Sequence, residues 1–161
     1  MRENRASRRV VAIGGLEISL EYYSCSCSPD DASRAWQLLP EKCREDTVIV
    51  ALPGDPPNPC TIAIVLLHSL EAKARGTRIR KLPVLFLMEL LGLRQARDVA
   101  KKIREARFIV VASLSEKCLE EASRIIKEKL PSVNPISPPE CDLSEVWETT
   151  TRSILSGRRL G

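Results

Sequence analysis

The run Thr47–Leu52 constrains the fold more than any other part of the chain. It reads Thr-Val-Ile-Val-Ala-Leu, follows charged residues and precedes Pro53-Gly54-Asp55-Pro56-Pro57. An apolar run of this length between charges and prolines predicts a buried strand that ends in a rigid loop. The chain has 161 residues, which is enough to bury a core without metal or disulfide support. We therefore predict one domain over residues 1–161.

Apolar periodicity predicts the remaining elements. Residues 9–13, the Gly14-Gly15 turn and the alternating residues 16–22 predict a hairpin, and residues 108–112 predict a further strand. Helices are predicted from Ser28-Pro29, from Asn58-Pro59 to near Gly76, from Leu82 or Pro83 through Leu91, over residues 94–106, and from Ser115 through Lys129. The pattern predicts an α+β fold in which a mixed sheet of about four strands is flanked by helices.

The two ends of the chain are predicted to be less regular. Residues 1–8 are expected to be flexible, and residues 131–141 to form an extended proline-rich linker to a C-terminal helix that starts near Asp142. No stretch reaches the roughly 18 uninterrupted apolar residues of a membrane span, and the arginine-rich start lacks the apolar segment of a signal peptide. We therefore expect a cytoplasmic protein.

Six cysteines could suggest a metal site or disulfides. None of them forms a CxxC pair and His68 is the only histidine, so we expect no metal and no cofactor. The 17 arginines outnumber the 8 lysines, which is compatible with a thermophilic source, where intracellular disulfides occur. Any bridge would then be structural. Cys25 and Cys27 leave a thiol-dependent enzyme as an alternative.

Positive charge is concentrated in residues 73–107. That segment holds 11 basic and 3 acidic residues, a net charge of +8, so the rest of the chain carries 4 − 8 = −4. Such asymmetry suggests a localised field for a polyanion. Five cations occur within nine residues without an acid: Lys73, Arg75, Arg78, Arg80 and Lys81. A solvated helix face is the alternative interpretation.

A helical wheel over residues 94–106 separates apolar from basic positions. Ala96, Val99, Ala100 and Ile103 share one arc, whereas Arg94, Arg97, Lys101 and Arg104 form a stripe on the other side. No aromatic residue lies among residues 73–81 or 94–107, so arginine must supply any stacking on bases. The pattern favours recognition of a single-stranded RNA end or a shaped backbone over sequence read-out.

The residue pattern does not suggest an enzyme. As the only histidine, His68 is more often a packed or surface residue than a base, and the adjacent acids Asp30-Asp31 and Glu120-Glu121 are expected at helix caps or solvated faces. Gly14-Gly15 lacks the GxGxxG pattern of dinucleotide sites, and Gly54 is not part of a phosphate-binding loop. We therefore predict a non-catalytic protein.

Three motifs resemble one known family. They are Leu67-His68-Ser69-Leu70-Glu71-Ala72-Lys73, Met88-Glu89-Leu90-Leu91 and Gly92-Leu93-Arg94-Gln95. Their order resembles the kinase-binding small subunit of the KEOPS (EKC) complex, the PRPK-binding protein family. The resemblance implies a subunit without catalytic activity in the machine that installs threonylcarbamoyladenosine beside the anticodon of tRNA. It also implies contact with the atypical kinase-ATPase subunit, and through it with the other subunits, and capture of tRNA by its 3′ CCA end.

The resemblance and the charge together predict two sets of binding residues. Arg94 and Gln95 are the tRNA contacts that the resemblance implies, and charge adds Arg75, Arg78, Arg80, Lys81, Arg97 and Lys101. The kinase contact maps to the C-terminal helix, where Val146, Thr150 and Ile154 form an apolar stripe that could equally cover the sheet. A free-standing ribonucleoprotein component is the alternative function, because the basic segment alone supports it equally well.

Overall fold

A computed structural model of the chain describes residues 8–103, 105–130 and 132–141. At its centre is a sheet with the strand order β1-β2-β4-β3, and β5 also pairs with β2. The strands are β1 (Arg8–Ile13), β2 (Leu16–Cys27), β3 (Thr47–Leu52), β4 (Ala106–Ser113) and β5 (Asn134–Ile136). The predicted hairpin is confirmed, because Ile13 pairs with Leu16 across Gly14 and Gly15. Both glycines have positive φ, as a two-residue hairpin turn requires.

Six helices are described, and three of them start as predicted at Ser28, Asn58 and Ser115, each with a side-chain cap. Ser28 accepts from the Asp31 N–H, Asn58 from the Cys60 N–H and Ser115 from the Cys118 N–H. Each cap satisfies an N–H group that the first turn of a helix leaves without a partner. The helices are α1 (Pro29–Gln37), α2 (Glu41–Arg44), α3 (Pro59–Ala74), α4 (Leu82–Leu91), α5 (Arg97–Lys102) and α6 (Glu116–Lys129).

The α+β class is confirmed, but the sheet is antiparallel instead of mixed. All four strand pairings among the described residues are antiparallel. A single helix between β3 and β4 would have made these strands parallel. Here the connection contains both α3 and α4, which pack against each other. Because α3 runs back along the sheet and α4 returns, β4 begins at the end of the sheet where β3 stops.

Helices cover both faces of the sheet. Tyr22 and Tyr23 are adjacent on β2 and therefore point to opposite faces. The Tyr22 hydroxyl donates to the Pro57 carbonyl before α3, whereas the Tyr23 hydroxyl lies 2.6 Å from Ser123 Oγ on α6. Thus α3 and α4 lie on one face, and α1 and α6 on the other. Between them no residue of β3 is more than 3% exposed, which confirms the predicted buried strand.

The proline-rich segment is more than the predicted linker. Residues 134–136 form β5, which pairs with residues 22–24 of β2, and Arg9 donates to the Pro138 carbonyl at 3.1 Å. Arg8, predicted to be flexible, begins β1, whereas residues 1–7 and the predicted C-terminal helix lie outside the described residues. Among the described residues, no helix has both the length and the apolar character needed to span a membrane.

All six cysteines form disulfides. Cys43 on α2 is bonded to Cys118 on α6, and Cys60 on α3 is bonded to Cys141 beyond β5. The third disulfide joins Cys25 and Cys27 at the end of β2. The first two connect elements that are 75 and 81 residues apart in sequence, so they brace the fold. The third joins residues within one strand.

Candidate nucleic-acid interface

The connection between α3 and α4 carries the first group of predicted RNA-binding cations. α3 ends at Ala74, and Gly76 turns the chain with a φ of 93°. The Thr77 hydroxyl accepts from the Ile79 N–H at 3.2 Å and fixes the loop. Four exposed residues in this connection form what we call the loop cluster: Arg75, Arg78, Arg80 and Lys81.

The second group follows α4. Gly92 has a φ of 68°, and the Leu93 N–H donates to the Met88 carbonyl at 2.8 Å. This left-handed glycine ends α4 where the sequence predicts. Four exposed residues after it form what we call the turn cluster: Arg94, Gln95, Arg97 and Lys101. Within this cluster Arg97 Nε donates to Gln95 Oε1 at 2.6 Å, so two of the predicted contacts are joined to each other.

The predicted helix over residues 94–106 is wrong in its extent. The observed helix α5 spans only Arg97–Lys102, and Ala106 already belongs to β4. Arg94 and Gln95 therefore lie in the turn before α5. The predicted apolar arc also fails in part, because Ala96 and Ala100 are exposed. Two of four predicted stripe cations, Arg97 and Lys101, lie on the observed helix, and residue 104 lies outside the described residues.

The loop cluster and the turn cluster lie at opposite ends of α4. This helix has ten residues, so at about 1.5 Å per residue the clusters are roughly 15 Å apart. The turn cluster lies at the end of the sheet where β3 stops and β4 begins, and the loop cluster lies toward the other end. The predicted contacts thus form two separate groups along one layer of the molecule, instead of one continuous stripe.

Most of these cations have no acidic partner. Arg75 is paired with Glu71 on α3, although its side chain remains 77% exposed. Within the described part of the chain, none of the other cations in the two clusters lies within 4 Å of a carboxylate. Their positive field therefore extends into solvent, where it can attract an anion.

An open concavity beside the turn cluster adds two cations that the sequence prediction left out. It has a volume of about 530 Å³ and lies where the β3–α3 loop meets the start of β4. Its lining residues are Pro53, Gly54, Lys101, Lys102, Glu105 and Arg107. Lys102 and Arg107 were counted in the basic segment but not chosen as contacts. Lys102 directly follows the predicted contact Lys101 in sequence. The concavity itself arises from the pairing of β3 with β4, which single-sequence patterns do not reveal.

Val146, Thr150 and Ile154, the predicted kinase contacts, lie outside the described residues. Within the described residues, no group of three or more His, Cys, Asp or Glu side chains could hold a metal ion. Since every cysteine is bonded, the fold holds no free thiol in this state.

A second charged group lies on the opposite face of the sheet, beneath α6. Arg8 contacts Glu21 Oε1 at 3.1 Å, and Tyr23 donates to Glu21 Oε2 at 2.8 Å. The Glu21 side chain is only 3% exposed. Burial, and then the charge of Glu21, raise the pKa of Tyr23 far above its ordinary value of 10.0. We call Arg8, Glu21, Tyr23 and Ser123 the buried cluster. Since its groups satisfy one another, it serves stability.

Comparison with known proteins gives no family for this chain. No protein-family description matches it, and no curated protein is significantly similar to it. The functional interpretation therefore depends on the exposed cations described above and on the motifs around Met88 and Gly92.

Proposed function

We propose that this chain is a non-catalytic tRNA-binding subunit of a KEOPS-type complex, which supports threonylcarbamoyladenosine modification next to the anticodon. The observation that carries the proposal is the placement of exposed cations at both ends of α4. Apart from Arg75, these cations have no carboxylate partner among the described residues. Like charges held close together repel one another, so a polyanion is the ligand that would relieve this repulsion.

The spacing of the clusters suits a short single strand. A separation of roughly 15 Å corresponds to about four nucleotides of a strand whose bases stay stacked at the 3.4 Å spacing found in a double helix. The 3′ CCA end of tRNA is an unpaired strand of this size. Because neither cluster contains an aromatic residue, arginine guanidinium groups would contact the phosphates and stack on the bases. Recognition would then depend on shape and on the free end.

Arg94 and Gln95, the RNA contacts that the resemblance implies, belong to the turn cluster. The Met88 carbonyl, in the last turn of α4, accepts from the Leu93 N–H, and Gly92 makes the turn to Arg94. The turn exposes Arg94 and Gln95 beside the concavity that contains Lys101. This arrangement supports the proposal that the motif positions a tRNA end, with Lys102 and Arg107 as additional phosphate contacts.

The partner in this proposal is the atypical kinase-ATPase subunit, and we place the protein in the cytoplasm. The residues of this chain that contact the kinase subunit would be Val146, Thr150 and Ile154. Disulfides in a cytoplasmic protein are compatible with a hyperthermophilic source, where they are known. The excess of arginine over lysine is compatible with the same source. The test is co-elution of the purified chain with a KEOPS-type kinase subunit in size-exclusion chromatography. Val146→Asp/Ile154→Asp should abolish co-elution, and failure of the unmodified chain to co-elute would favour the free-standing ribonucleoprotein function.

The tRNA contact is tested by fluorescence anisotropy with intact tRNA and with the same tRNA trimmed of its CCA end. We expect trimming to weaken binding at least tenfold. Two double variants, Arg78→Ala/Arg80→Ala and Lys101→Ala/Lys102→Ala, test the two clusters separately. The matched control is Lys117→Ala/Lys127→Ala, which removes two exposed lysines from α6 on the other face of the sheet. Both cluster variants should weaken binding, and the control should not.

The salt dependence separates specific binding from general attraction to polyanions. For a single strand, log affinity falls by about 0.7 per phosphate contact for each tenfold rise in salt. Five contacts therefore predict a slope of about −3.5. Equal binding of intact and trimmed tRNA, with equal loss in all three double variants, would reduce the proposal to non-specific binding of polyanions.

A further inference from the structure

The end of β2 carries a disulfide between cysteines that are only two residues apart, Cys25 and Cys27. We propose that this pair is a thiol–disulfide exchange site that a dithiol reduces and a disulfide reoxidises while the protein remains folded. The proposal is independent of RNA binding. It depends on four features: the access to the pair, its short separation in sequence, the shape of the strand around it and the nearby positive charge.

Access distinguishes this disulfide from the one between α2 and α6. Cys25 and Cys27 are partly exposed, and Ser26 between them is exposed. Cys43 and Cys118 are only 7% and 9% exposed. Exchange requires a thiolate to reach a sulfur atom directly. A reductant in solution can therefore reach the pair on β2 in the folded protein, whereas Cys43–Cys118 is covered.

Sequence separation distinguishes the pair from Cys60–Cys141, which is also accessible through the exposed Cys141. In the chain-entropy account, a disulfide stabilises a fold by restricting the unfolded chain, and the effect grows with the length of the closed loop. Cys60 and Cys141 are 81 residues apart, whereas Cys25 and Cys27 are 2 apart. The fold therefore depends least on Cys25–Cys27, and this bond can open without releasing distant parts of the chain.

A β-bulge holds the two cysteines close together. Ser24 pairs with Phe108 and Cys27 with Ala106, so two residues of β2, Cys25 and Ser26, stand opposite Arg107 alone. In a regular strand, residues two apart are separated by roughly 6.6 Å, near the upper limit for a disulfide. Here the two Cα atoms are 5.4 Å apart. Because the backbone sets this distance, the reduced pair would remain positioned to close again.

The segment before β5 supports the bulge from the outer side of β2. Ser132 Oγ donates to the Ser26 carbonyl at 3.3 Å, and Ser24 Oγ donates to the Asn134 carbonyl at 3.4 Å. The pairing of β5 with β2 covers residues 22–24 only. The strand thus leaves the ladder at the cysteines, and this exposes the disulfide along its edge.

Positive charge near the bulge favours the thiolate of Cys25. Arg107 is exposed and stands across the bulge, and it lines the same concavity as Lys101 and Lys102. A neighbouring cation stabilises a thiolate relative to the thiol. Cys25 is therefore the better leaving group, and the incoming thiolate should attack Cys27.

The N-terminus of α1 favours a thiolate at Cys27, and the acids in the first turn of α1 disfavour it. Cys27 directly precedes Ser28, the N-cap of α1, and a helix N-terminus favours a nearby negative charge. Asp30 and Asp31 in the first turn oppose this effect. The net positive contribution at the site therefore comes from Arg107 and its lysine neighbours, which provides a specific residue to substitute.

The exchange balances in two displacement steps. One thiolate of the dithiol attacks Cys27 Sγ, the bond to Cys25 breaks, and Cys25 leaves as a thiolate. The second thiol of the reductant loses its proton and attacks the reductant's first sulfur, which is bonded to Cys27 in the mixed disulfide. Cys27 then leaves as a thiolate. The reductant becomes a disulfide, and two electrons and two protons pass to the cysteine pair. Oxidation follows the same steps in reverse.

The test uses the full oxidised chain equilibrated at a series of ratios of reduced to oxidised dithiothreitol. Samples are acid-quenched and alkylated, each cysteine is quantified by peptide mass spectrometry, and circular dichroism reports folding. We expect Cys25 and Cys27 to be reduced at a ratio at least ~10-fold lower than Cys43–Cys118 or Cys60–Cys141, with circular dichroism unchanged. Reduction together with either long-range bond, or with loss of the folded signal, would overturn the proposal.

Two further measurements address the dithiol and the cation. Glutathione at the same thiol concentration should leave the pair largely oxidised, because Cys25 is positioned to displace glutathione from the mixed disulfide at Cys27. Full reduction as fast as by dithiothreitol would overturn the dithiol assignment. In the reduced protein, Arg107→Ala should slow iodoacetamide alkylation of Cys25 about threefold at pH 7. Lys117→Ala, on α6 beyond the other end of β4, is the matched control and should leave the rate unchanged. Equal rates in both variants would refute the role of Arg107.

Discussion

Arginine has opposite roles on the two faces of the sheet. Beneath α6, Arg8 contacts Glu21, Glu116 and Glu120, and the Glu21 carboxylate is almost fully buried. Beside α4, Arg78 and Arg94 are exposed and have no carboxylate within reach among the described residues. The same side chain therefore completes a buried network on one face and produces an open field on the other. Placement, and not residue type, decides whether an arginine is paired with acids or open to solvent.

The largest expected effect tests the stabilising side of this comparison. Glu21→Ala should lower the free energy of unfolding by about 3 kcal/mol, because Arg8, Tyr23 and Ser123 would lose their shared acceptor. Urea unfolding followed by circular dichroism measures it. Glu120→Ala is the control, since Glu120 is 60% exposed and should change stability by less than about 0.5 kcal/mol. Equal losses of unfolding free energy in the two variants would show that Glu21 contributes no more to stability than an exposed glutamate.

The next effect tests the binding side. Arg78→Ala/Arg80→Ala should weaken binding of intact tRNA about 20-fold, equivalent to about 1.8 kcal/mol, while its melting temperature stays unchanged. Arg8→Ala should lower the melting temperature and leave tRNA binding unchanged, because its partner Glu21 is buried. Anisotropy and thermal unfolding on the same samples measure both quantities. A destabilised Arg78→Ala/Arg80→Ala variant would contradict the division of roles between the two faces.

A smaller effect concerns the ionisation of Tyr23. Its pKa is raised in the folded state by burial and by Glu21, so the folded protein keeps this proton when the unfolded chain loses it. The contribution of Tyr23 to the free energy of unfolding is therefore complete below about pH 10. Above that pH it falls by about 1.4 kcal/mol per pH unit. Urea midpoints from pH 9 to 11 measure this fall. Tyr23→Phe should remove the Tyr23 contribution, and an unchanged alkaline slope in that variant would exclude Tyr23 as its source.

The smallest effect concerns the one acid-paired cation of the loop cluster. Arg75 is 77% and Glu71 is 58% exposed, so Arg75→Ala should cost no more than about 0.5 kcal/mol of stability. Glu71→Ala should leave stability equally unaffected and strengthen tRNA binding, because it removes a negative charge from the field. Thermal unfolding and anisotropy test both variants. Weaker binding by Glu71→Ala would show that the ion pair orients Arg75 for contact.

Most local structure could be predicted from the sequence because short-range signals specify it. The Ser28 cap, the Gly14-Gly15 turn and the Gly92 stop each act within a few residues, and all are observed. β5 was missed because three residues that include a proline give no periodicity. The helix over residues 94–106 was overextended because Ala96 and Ala100 contribute little apolar surface, and because β4 takes residues from 106 onward into the sheet.

Long-range features of the site were not predictable in the same way. The exposed cations were identified by charge, but their division into two clusters depends on the return of α4 along α3. Lys102 and Arg107 line a concavity together with Pro53 and Gly54 only because β3 and β4 are antiparallel. The pairing of the six cysteines likewise depends on the fold, since spacing alone does not determine which partners meet.

β1 and β5, which are far apart in sequence, pair with consecutive stretches of the same edge of β2. Arg8 lies opposite Glu21 and Ile136 opposite Tyr22, and both short strands run antiparallel to β2. They therefore follow one another in the same direction, as two parts of a single interrupted strand. The edge of β2 is therefore completed by two segments that are far apart in sequence, and pairing of this kind forms slowly because the long chain between them must first be ordered.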